Sequence, residues 1–289
     1  MSTLFESEPE MTTTALAPWF GSNRMLAPIV GKELRGCKWV GVPFAGGMSE
    51  LAHIKASTIV VGDLHRHVIN LALVLACKGQ PERLMTKLGA LPFHPDTLAY
   101  AQKACLEMER GGWNFGELDG RPAEQWALNY FICCWMGRSA KAGTEDEFKG
   151  NLPVRWSATG GDSNTRYRSA IESLEAWCAI VRRCNFVVQD VFEFLDNVKD
   201  LVGHGLYLDP PFPGPGDAYK HKFTEDQHRQ LAAKLATFRN CRIVCRFYDH
   251  PLVRELYPEP NWTWVMLKGR KQSNDAAPEV LLINGESYA

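Results

Sequence analysis

The tetrapeptide Asp209-Pro210-Pro211-Phe212 is the part of the sequence best suited to chemistry, and it follows directly on an apolar segment. Two successive prolines fix an extended corner without free N–H groups. Such a corner presents the Asp209 carboxylate and the Pro210 carbonyl as two fixed acceptors beside an aromatic ring. Acceptors on both hydrogens of an aromatic amine would free its delocalised lone pair for attack on an electrophile, and Phe212 would stack on the base that carries the amine. The alternative is a proline-stiffened turn with an ordinary acid.

A second group of candidate residues surrounds the glycine turn Phe44-Ala45-Gly46-Gly47, which follows the apolar segment 38–42. Gly46 and Gly47 have no Cβ, so a ligand can approach their backbone closely. Asp63, which ends the apolar segment 58–62, is placed to accept hydrogen bonds from ribose hydroxyls, and Asp190 to accept from a purine amine. A nicotinamide enzyme also combines a glycine turn with an acid, but the G-x-G-x-x-G pattern is absent. The pattern therefore favours a nucleoside ligand without a pyrophosphate.

An alternation of strands and helices is predicted to position these residues. A helix is expected to begin near Ser49, with the serine hydroxyl as its cap. Further helices are predicted at 65–77, 167–183 and 225–238, and strands at 38–42, 58–62, 185–189, 205–208 and 242–246, with an antiparallel pair at 262–267 and 279–283. The prediction is an α/β fold with a doubly wound, mostly parallel, Rossmann-like sheet. Ligands of such sheets bind beyond the carboxyl ends of the strands, where the glycine turn, Asp63 and Asp209 fall.

The regular pattern fades between residues 79 and 165, where only 125–137 is predicted to be helical. We therefore predict an inserted, mainly helical target-recognition segment at 79–165, and a catalytic domain formed by 18–78 and 166–289. Residues 1–17 contain three glutamates and no Lys or Arg, which predicts a flexible tail.

Composition and charge narrow the class of protein. The 289 residues are 45% hydrophobic and carry a net charge of −1, with no apolar run long enough to cross a membrane and no secretory signal at the start. The nine cysteines show no C-x-x-C spacing, which favours buried free thiols in a reducing cytoplasm over a zinc site. His65 and His67, two residues apart, are predicted to point away from each other as surface or packing residues.

Basic residues are unevenly distributed along the chain. Between Lys220 and Arg246 there are seven Lys or Arg residues and two acidic ones, and a second basic group includes Arg166, Arg168, Arg182 and Arg183. Two interpretations stay open: the solvated face of a helix, or a local phosphate-binding surface on an otherwise neutral protein.

These motifs together resemble the Dam-like DNA adenine methyltransferases, particularly their phage and prophage branch. The resemblance runs from about Trp19 to Asn284, in the motif order of the α group of amino methyltransferases. It includes an N-terminal cofactor motif at Pro18–Arg24, a glycine motif at Pro43–Gly47, an adenine-binding motif at Gln189–Val191 and the catalytic motif at Asp209–Phe212. Trp135-Met136-Gly137-Arg138 and the stretch Gly160–Arg168 resemble this branch as well.

The resemblance implies a cytoplasmic enzyme of a bacterial or phage-infected cell. It would transfer a methyl group from S-adenosylmethionine to adenine in double-stranded DNA, release S-adenosylhomocysteine and use no metal. It leaves open whether the protein is a monomer or a weak dimer. The implied cofactor-binding residues are Trp19, Gly21, Asn23, Arg24, Phe44, Ala45, Gly46, Gly47, Asp63, Asp190 and Asp209. The implied DNA-binding residues are Arg138, Lys141, Arg166, Arg168, Lys220 and Lys222.

The chain departs from the family pattern at three positions. Asn23 replaces the usual lysine, Met48 replaces a frequent third glycine and is expected to narrow the cofactor turn, and Phe212 replaces the commoner tyrosine. Three other functions remain open: methylation of RNA or a free nucleotide, methylation of the cytosine amine on the same scaffold, and DNA binding by a relative that has lost catalysis.

Overall fold

A seven-stranded mixed sheet forms the centre of the protein, in the order β3-β2-β1-β4-β5-β9-β6. Strands β1 to β5 pair in parallel, and β9 lies antiparallel to both of its neighbours, β5 and β6. The predicted α/β fold with a mostly parallel sheet is therefore confirmed, as is the antiparallel pair at its edge. The computed structural model describes residues 15–21, 24–111, 123–137, 141–157, 161–214, 218–267, 269–270 and 276–289.

The strands are short and their bounds lie close to those predicted. They are β1 (Trp39–Val42), β2 (Thr58–Gly62), β3 (Cys184–Val187), β4 (His204–Leu208), β5 (Arg242–Tyr248), β6 (Thr263–Met266) and β9 (Glu279–Ile283). A separate two-stranded ribbon joins β7 (Gly269–Arg270) to β8 (Ala276–Ala277). The central strands are apolar on both faces because helices cover both sides of the sheet.

Two hydrophobic cores, one on each face of the sheet, follow from the alternation of side chains along the strands. Tyr207 and Val244 face one core, whereas Leu206, Leu208 and Ile243 face the other. The first core includes helices α1 (Ala27–Glu33), α2 (Arg66–Ala76), α3 (Gln80–Ala90), α4 (Pro95–Gly111), α5 (Glu124–Met136) and α6 (Ser163–Val181). The second includes α7 (Val191–Asn197), α8 (Glu225–Leu235) and α9 (Pro251–Leu256).

The segment 79–165 is more regular than predicted, because α3 and α4 precede the expected helix α5. The buried side chains of α4 are Leu98, Ala101, Cys105 and Met108, which recur every three or four residues as in an amphipathic helix. Helices α3, α4 and α5 share one core with α2 and α6. The predicted insertion thus packs against helices of the predicted catalytic domain in a continuous layer.

Two local predictions are wrong. Ser49 begins a four-residue 3₁₀ turn (Ser49–Ala52) rather than an α-helix, and its buried hydroxyl has no hydrogen-bond partner among the described residues. The predicted tail cannot extend to residue 17, since Leu16 and Ala17 are buried and the Leu16 N–H donates to the Gly47 carbonyl. The apolar side chains of Leu16 and Ala17 pack into the first core, which outweighs the polar character of the residues before them.

The cysteine side chains are free thiols at all nine positions, with Cys133 Sγ lying 3.9 Å from Cys105 Sγ. None of the helices in the described ranges is both long and apolar enough to cross a membrane.

Candidate functional site

A pocket with an empty volume of about 900 Å³, part of it open to solvent, lies at the carboxyl ends of the parallel strands. The strand order reverses between β1 and β4, and sheets of this kind bind ligands outside that switch point. Residues that directly follow β1, β2 and β4, and others just beyond β3, form much of the wall. The pocket is lined by Trp19, Pro43, Phe44, Ala45, Gly46, Gly47, Glu50, Asp63, Leu64, His65, Gly143, Gln189, Asp190, Val191, Asp209, Pro211, Tyr219, His221, Lys222, Phe223 and Gln227.

Half of the twenty residues selected from the sequence line this pocket. Those in its wall are Trp19, Phe44, Ala45, Gly46, Gly47, Asp63, Asp190, Asp209, Pro211 and Lys222. Those outside its wall are Gly21, Pro210, Phe212, Lys141, Arg166, Arg168 and Lys220. Asn23 and Arg138 lie outside the described residues, and Arg24 is described only as the first residue of a 3₁₀ turn, Arg24–Leu26.

The glycine turn is fixed from two sides. The Asp63 carboxylate accepts hydrogen bonds from the backbone N–H groups of Gly46 (2.9 Å) and His65 (2.8 Å). A Cβ on Gly46 would lie 3.2 Å from the Trp19 ring, and one on Gly47 would lie 2.7 Å from the Ala17 carbonyl oxygen. The absence of side chains here therefore admits the protein's own N-terminal segment. Asp63 retains further acceptor positions, because a carboxylate has about four.

Met48 does not narrow the pocket, contrary to the expectation from sequence. Its side chain is buried in the first core, and it is not among the lining residues. Its backbone has a φ of 60° and a ψ of 17°, a left-handed conformation that glycine adopts without strain. The turn thus keeps the shape that a third glycine would favour, while the methionine side chain fills the interior behind it.

Asp190 and two phenylalanines form another part of the site. Asp190 caps α7 by accepting from the Phe192 N–H at 2.8 Å, and it lines the pocket between Gln189 and Val191. Phe44 and Phe223, which also line the pocket, meet edge to face with their ring centroids 5.7 Å apart. Apolar rings beside a few polar groups are the usual wall of a small-molecule site.

Asp209 is tied to a buried arginine that the sequence analysis missed. Arg246, on β5, donates from Nη1 to Asp209 Oδ2 at 2.9 Å and from Nη2 to Glu279 Oε2 at 3.1 Å and the Gly21 carbonyl oxygen at 2.8 Å. Burial raises the pKa of the Asp209 carboxyl, and Arg246 opposes that shift. The available signal in the sequence is a charged residue between Cys245 and Phe247 inside an apolar strand, since buried charges are rare unless paired.

Glu50 is a second buried acid that the sequence analysis did not select. It lines the pocket from the 3₁₀ turn and is only 8% exposed. Burial, with the neighbouring Asp209 carboxylate, raises the pKa of Glu50 to about 7. Near neutral pH a substantial fraction of Glu50 is therefore a neutral acid, which can donate a hydrogen bond as well as accept one.

His65 and His67 are buried packing residues, one of the two predicted alternatives, but the prediction that they point away from each other is wrong. His65 precedes α2 as its cap rather than lying within it, and its ring centroid is 5.7 Å from that of His67. Nε2 of His65 lies 2.9 Å from Oε2 of buried Glu147, which also accepts from the Gly143 N–H at 3.0 Å. Burial lowers the pKa of His65, but Glu147 outweighs it, and the net pKa is raised. The predicted recognition segment is thus joined to the pocket wall.

Phe212 and Pro210 lie beside the pocket. Pro210 is buried, and the Phe212 ring packs against Tyr248 with centroids 4.7 Å apart. The Arg246 guanidinium carbon lies 5.3 Å from the centre of the same ring. Side-chain packing therefore holds the ring in place beside Asp209.

The predicted phosphate-binding residues are largely engaged by other groups. Arg168 donates to the carbonyl oxygens of Gly89 (2.8 Å) and Leu91 (3.2 Å) at the end of α3. Lys220 pairs with Glu109, Lys141 lies 3.9 Å from Asp146, and burial lowers the pKa of half-buried Arg166. Of the seven basic residues from Lys220 to Arg246, six form ion pairs: Lys220, Lys222, Arg229, Lys234, Arg242 and Arg246.

Comparison with models of known protein families gives no match, and comparison with curated proteins gives none either.

Proposed function

We propose that the protein transfers a methyl group from S-adenosylmethionine to the exocyclic amine of adenine in DNA. One observation carries the proposal: four acids, Glu50, Asp63, Asp190 and Asp209, converge on a single pocket at the switch point of the sheet. Three of them belong to the motifs that resemble the Dam-like enzymes. The fourth, Glu50, was found only in the structure, and its ionised fraction adds to the negative charge of the pocket.

The charge of the pocket supports this cofactor over a dinucleotide. Lys222, 57% exposed, is the one Lys or Arg among the described lining residues. An acidic pocket attracts a sulfonium and an ammonium, but repels a pyrophosphate. Asp63 would accept from the ribose hydroxyls and Asp190 from the adenine amine. The aromatic rings of Trp19, Phe44 and Phe223 would contact the apolar parts of the cofactor.

The chain's own role in methyl transfer would centre on Asp209. When bound, the cofactor supplies an electrophilic methyl group on a sulfonium. Asp209 can accept from Arg246 and from a substrate amine at once, because a carboxylate has about four acceptor positions. Pro210 follows with a second acceptor, its carbonyl, in a backbone corner stiffened by two prolines. Positive charge grows on the amine as the methyl arrives, so its attraction to a carboxylate strengthens in the transition state.

Adenine in DNA is proposed as the substrate because of the Asp-first catalytic motif and the resemblance. An RNA adenine or a cytosine amine would meet the same two acceptors. The choice among them therefore needs a product analysis.

The test is incubation of the purified protein with methyl-labelled S-adenosylmethionine and long unmethylated genomic DNA, followed by nucleoside analysis of the digest. Single-stranded DNA and RNA are parallel substrates, and calorimetry measures cofactor binding separately. Asp209→Asn keeps the shape of the side chain without its charge, and Asp226→Asn, on the exposed face of α8, is the matched control. We expect label in adenine methylated at its exocyclic amine, lost in the first variant and kept in the second.

Each other outcome identifies an alternative. Label in methylated cytosine would identify a cytosine amine methyltransferase, and label in RNA alone an RNA enzyme. Cofactor binding without transfer to any nucleic acid would support a relative that has lost catalysis. Failure to bind S-adenosylmethionine would refute the proposal.

A further inference from the structure

Arg246, on β5, connects its own strand with three other parts of the chain that meet beside the pocket. Its guanidinium donates to Asp209 after β4, to Glu279 on β9 and to the Gly21 carbonyl of the N-terminal segment, and it lies against the Phe212 ring. The Arg246 side chain is 3% exposed. Contacts in three directions fix the plane of the guanidinium, and the plane in turn fixes where the Asp209 carboxylate lies.

The charges around Arg246 do not balance if every acid is ionised. One guanidinium faces the carboxylates of Asp209 and Glu279 at hydrogen-bond distance, and Glu50 lies close enough to interact with both Asp209 and Arg246. A carboxylate removed from water stays charged only when an opposite charge or hydrogen-bond donors compensate it. Without Arg246, Asp209 would be a partly buried acid, 23% exposed, among other acids.

We infer that Arg246 is a positioning residue, which holds the Asp209 carboxylate ionised and oriented for the substrate amine. This inference rests on the proposed function. Arg246 itself does not line the pocket. It acts through Asp209, and its contact with Gly21 sets the position of the N-terminal segment relative to the catalytic corner.

The inference predicts a shift in pH dependence with a defined sign. The charged and titratable groups that face Asp209 are Arg246, Glu279, Glu50, Tyr207, Tyr219 and Tyr248. Burial already raises the pKa of Asp209, and Arg246 is the cation that opposes it. Removing Arg246 raises that pKa further, so a higher pH is needed to ionise the carboxylate. The acidic limb of the rate profile should move toward alkaline pH.

The experiment compares single-turnover methyl transfer across pH in Arg246→Met, Arg246→Lys and the wild type. We expect Arg246→Met to move the acidic midpoint upward by about 1–3 pH units, the usual effect of an opposite charge on a neighbouring acid. Arg246→Lys should restore the midpoint but not the full rate, because an ammonium lacks the planar fork. Arg242→Met is the matched control. Arg242 lies on the same strand as Arg246, and the Arg242→Met variant loses a buried ion pair with Glu33. The acidic midpoint of its rate profile should equal that of the wild type.

A second readout separates this inference from the proposed function. The pKa of Asp209 is measured by carbon NMR of labelled aspartate carboxyls, with Asp209→Asn assigning the signal, and needs no turnover. If the wild type transfers no methyl group, the proposed function fails, and the NMR titration still tests Arg246. If the Arg246→Met variant does not fold, the double variant Arg246→Met/Glu279→Gln is used for the titration instead, because it removes a buried cation and a buried anion together. An unchanged Asp209 pKa in the folded variant would overturn the inference.

Discussion

Glu50→Gln is expected to stabilise the folded protein at alkaline pH and to leave its stability in acid unchanged. The pKa of Glu50 is raised from 4.5 to about 7 by burial and by Asp209. One pKa unit corresponds to about 1.4 kcal/mol, so ionised Glu50 destabilises the fold by about 3 kcal/mol. The folded protein keeps a proton that the unfolded chain releases across this window, so stability falls as pH rises from about 4.5 to about 7. Glutamine has a similar shape and no proton to release, so the penalty disappears.

Glu33→Gln provides a control of opposite sign in an equally buried acid. Glu33 is fully buried, and burial alone would raise its pKa. Hydrogen bonds from Ser287, the backbone N–H groups of Tyr288 and Ala289, and Arg242 outweigh burial and lower the pKa of Glu33. An acid whose pKa is lowered by folding stabilises the folded protein at pH values above its pKa in the unfolded chain. This stabilisation is lost as the pH falls through the pKa of the folded state. Glu33→Gln should therefore destabilise the protein at neutral pH, with a smaller effect in acid.

The assay is urea unfolding of the wild type and both variants at a series of pH values, followed by circular dichroism. The free energies are compared only where the slopes with denaturant agree, since a changed slope signals a different unfolded state. The Glu50→Gln difference should grow from near zero in acid to its full value above neutral pH. A difference of the same size at every pH would refute the reasoning, because the effect would then be one of packing rather than of proton release.

Three further predictions concern binding and transfer. Asp63→Ala should weaken S-adenosylmethionine binding by roughly ten- to a hundredfold, measured by calorimetry on the folded variant, because a hydrogen bond to a charged acceptor contributes about 1.5–3 kcal/mol; unchanged affinity would remove Asp63 from the site. Phe212→Ala should reduce capture of a flipped base by about 1–3 kcal/mol, measured with 2-aminopurine fluorescence, while Phe212→Tyr retains it; equal signals in both variants would contradict stacking. Transfer should persist in excess chelator, because a sulfonium needs no Lewis acid; loss in chelator that a divalent ion restores would indicate different chemistry.

Local sequence patterns were sufficient for the sheet but not for the helices of segment 79–165. Strands β1 and β2 fall within one residue of their predicted bounds, since each is a short apolar run that ends at a turn or an acid. Helices α3 and α4 were missed although Leu84 and Leu88, four residues apart, are buried as an amphipathic helix requires. The sequence from 111 to 120 contains four glycines, which favour irregular structure, but α3 and α4 both precede or end at the first of them. The spacing of apolar residues within α3 and α4 is therefore a better indicator of structure in this segment than the glycines that follow α4.

Strand-end motifs located the pocket, whereas the pairs that tune it depend on distant parts of the chain. Asp63 and Asp209 were recognisable because parallel strands bring their carboxyl ends to one edge. His65 and Glu147 are 82 residues apart, and Asp209 and Arg246 are 37 apart. No periodicity relates such positions. The cost of burying each charge is offset only by a partner that the tertiary fold supplies. The basic run after Lys220 was ambiguous for the same reason, since the acids that pair with it lie elsewhere in the chain.

Three unfavourable local features adjoin the pocket, and their proximity to one another is an argument for a functional site. Met48 adopts a left-handed backbone conformation that disfavours a side chain, Glu50 is a buried acid, and Arg246 is a buried cation among carboxylates. Each feature reduces the free energy of unfolding relative to a relaxed apolar alternative. They adjoin one another around the glycine turn and the Asp209 corner, whereas the strands behind them follow simple hydrophobic patterns. Departures from local preference that adjoin a pocket are what a functional site predicts, because the residues of such a site are selected for chemistry rather than for stability.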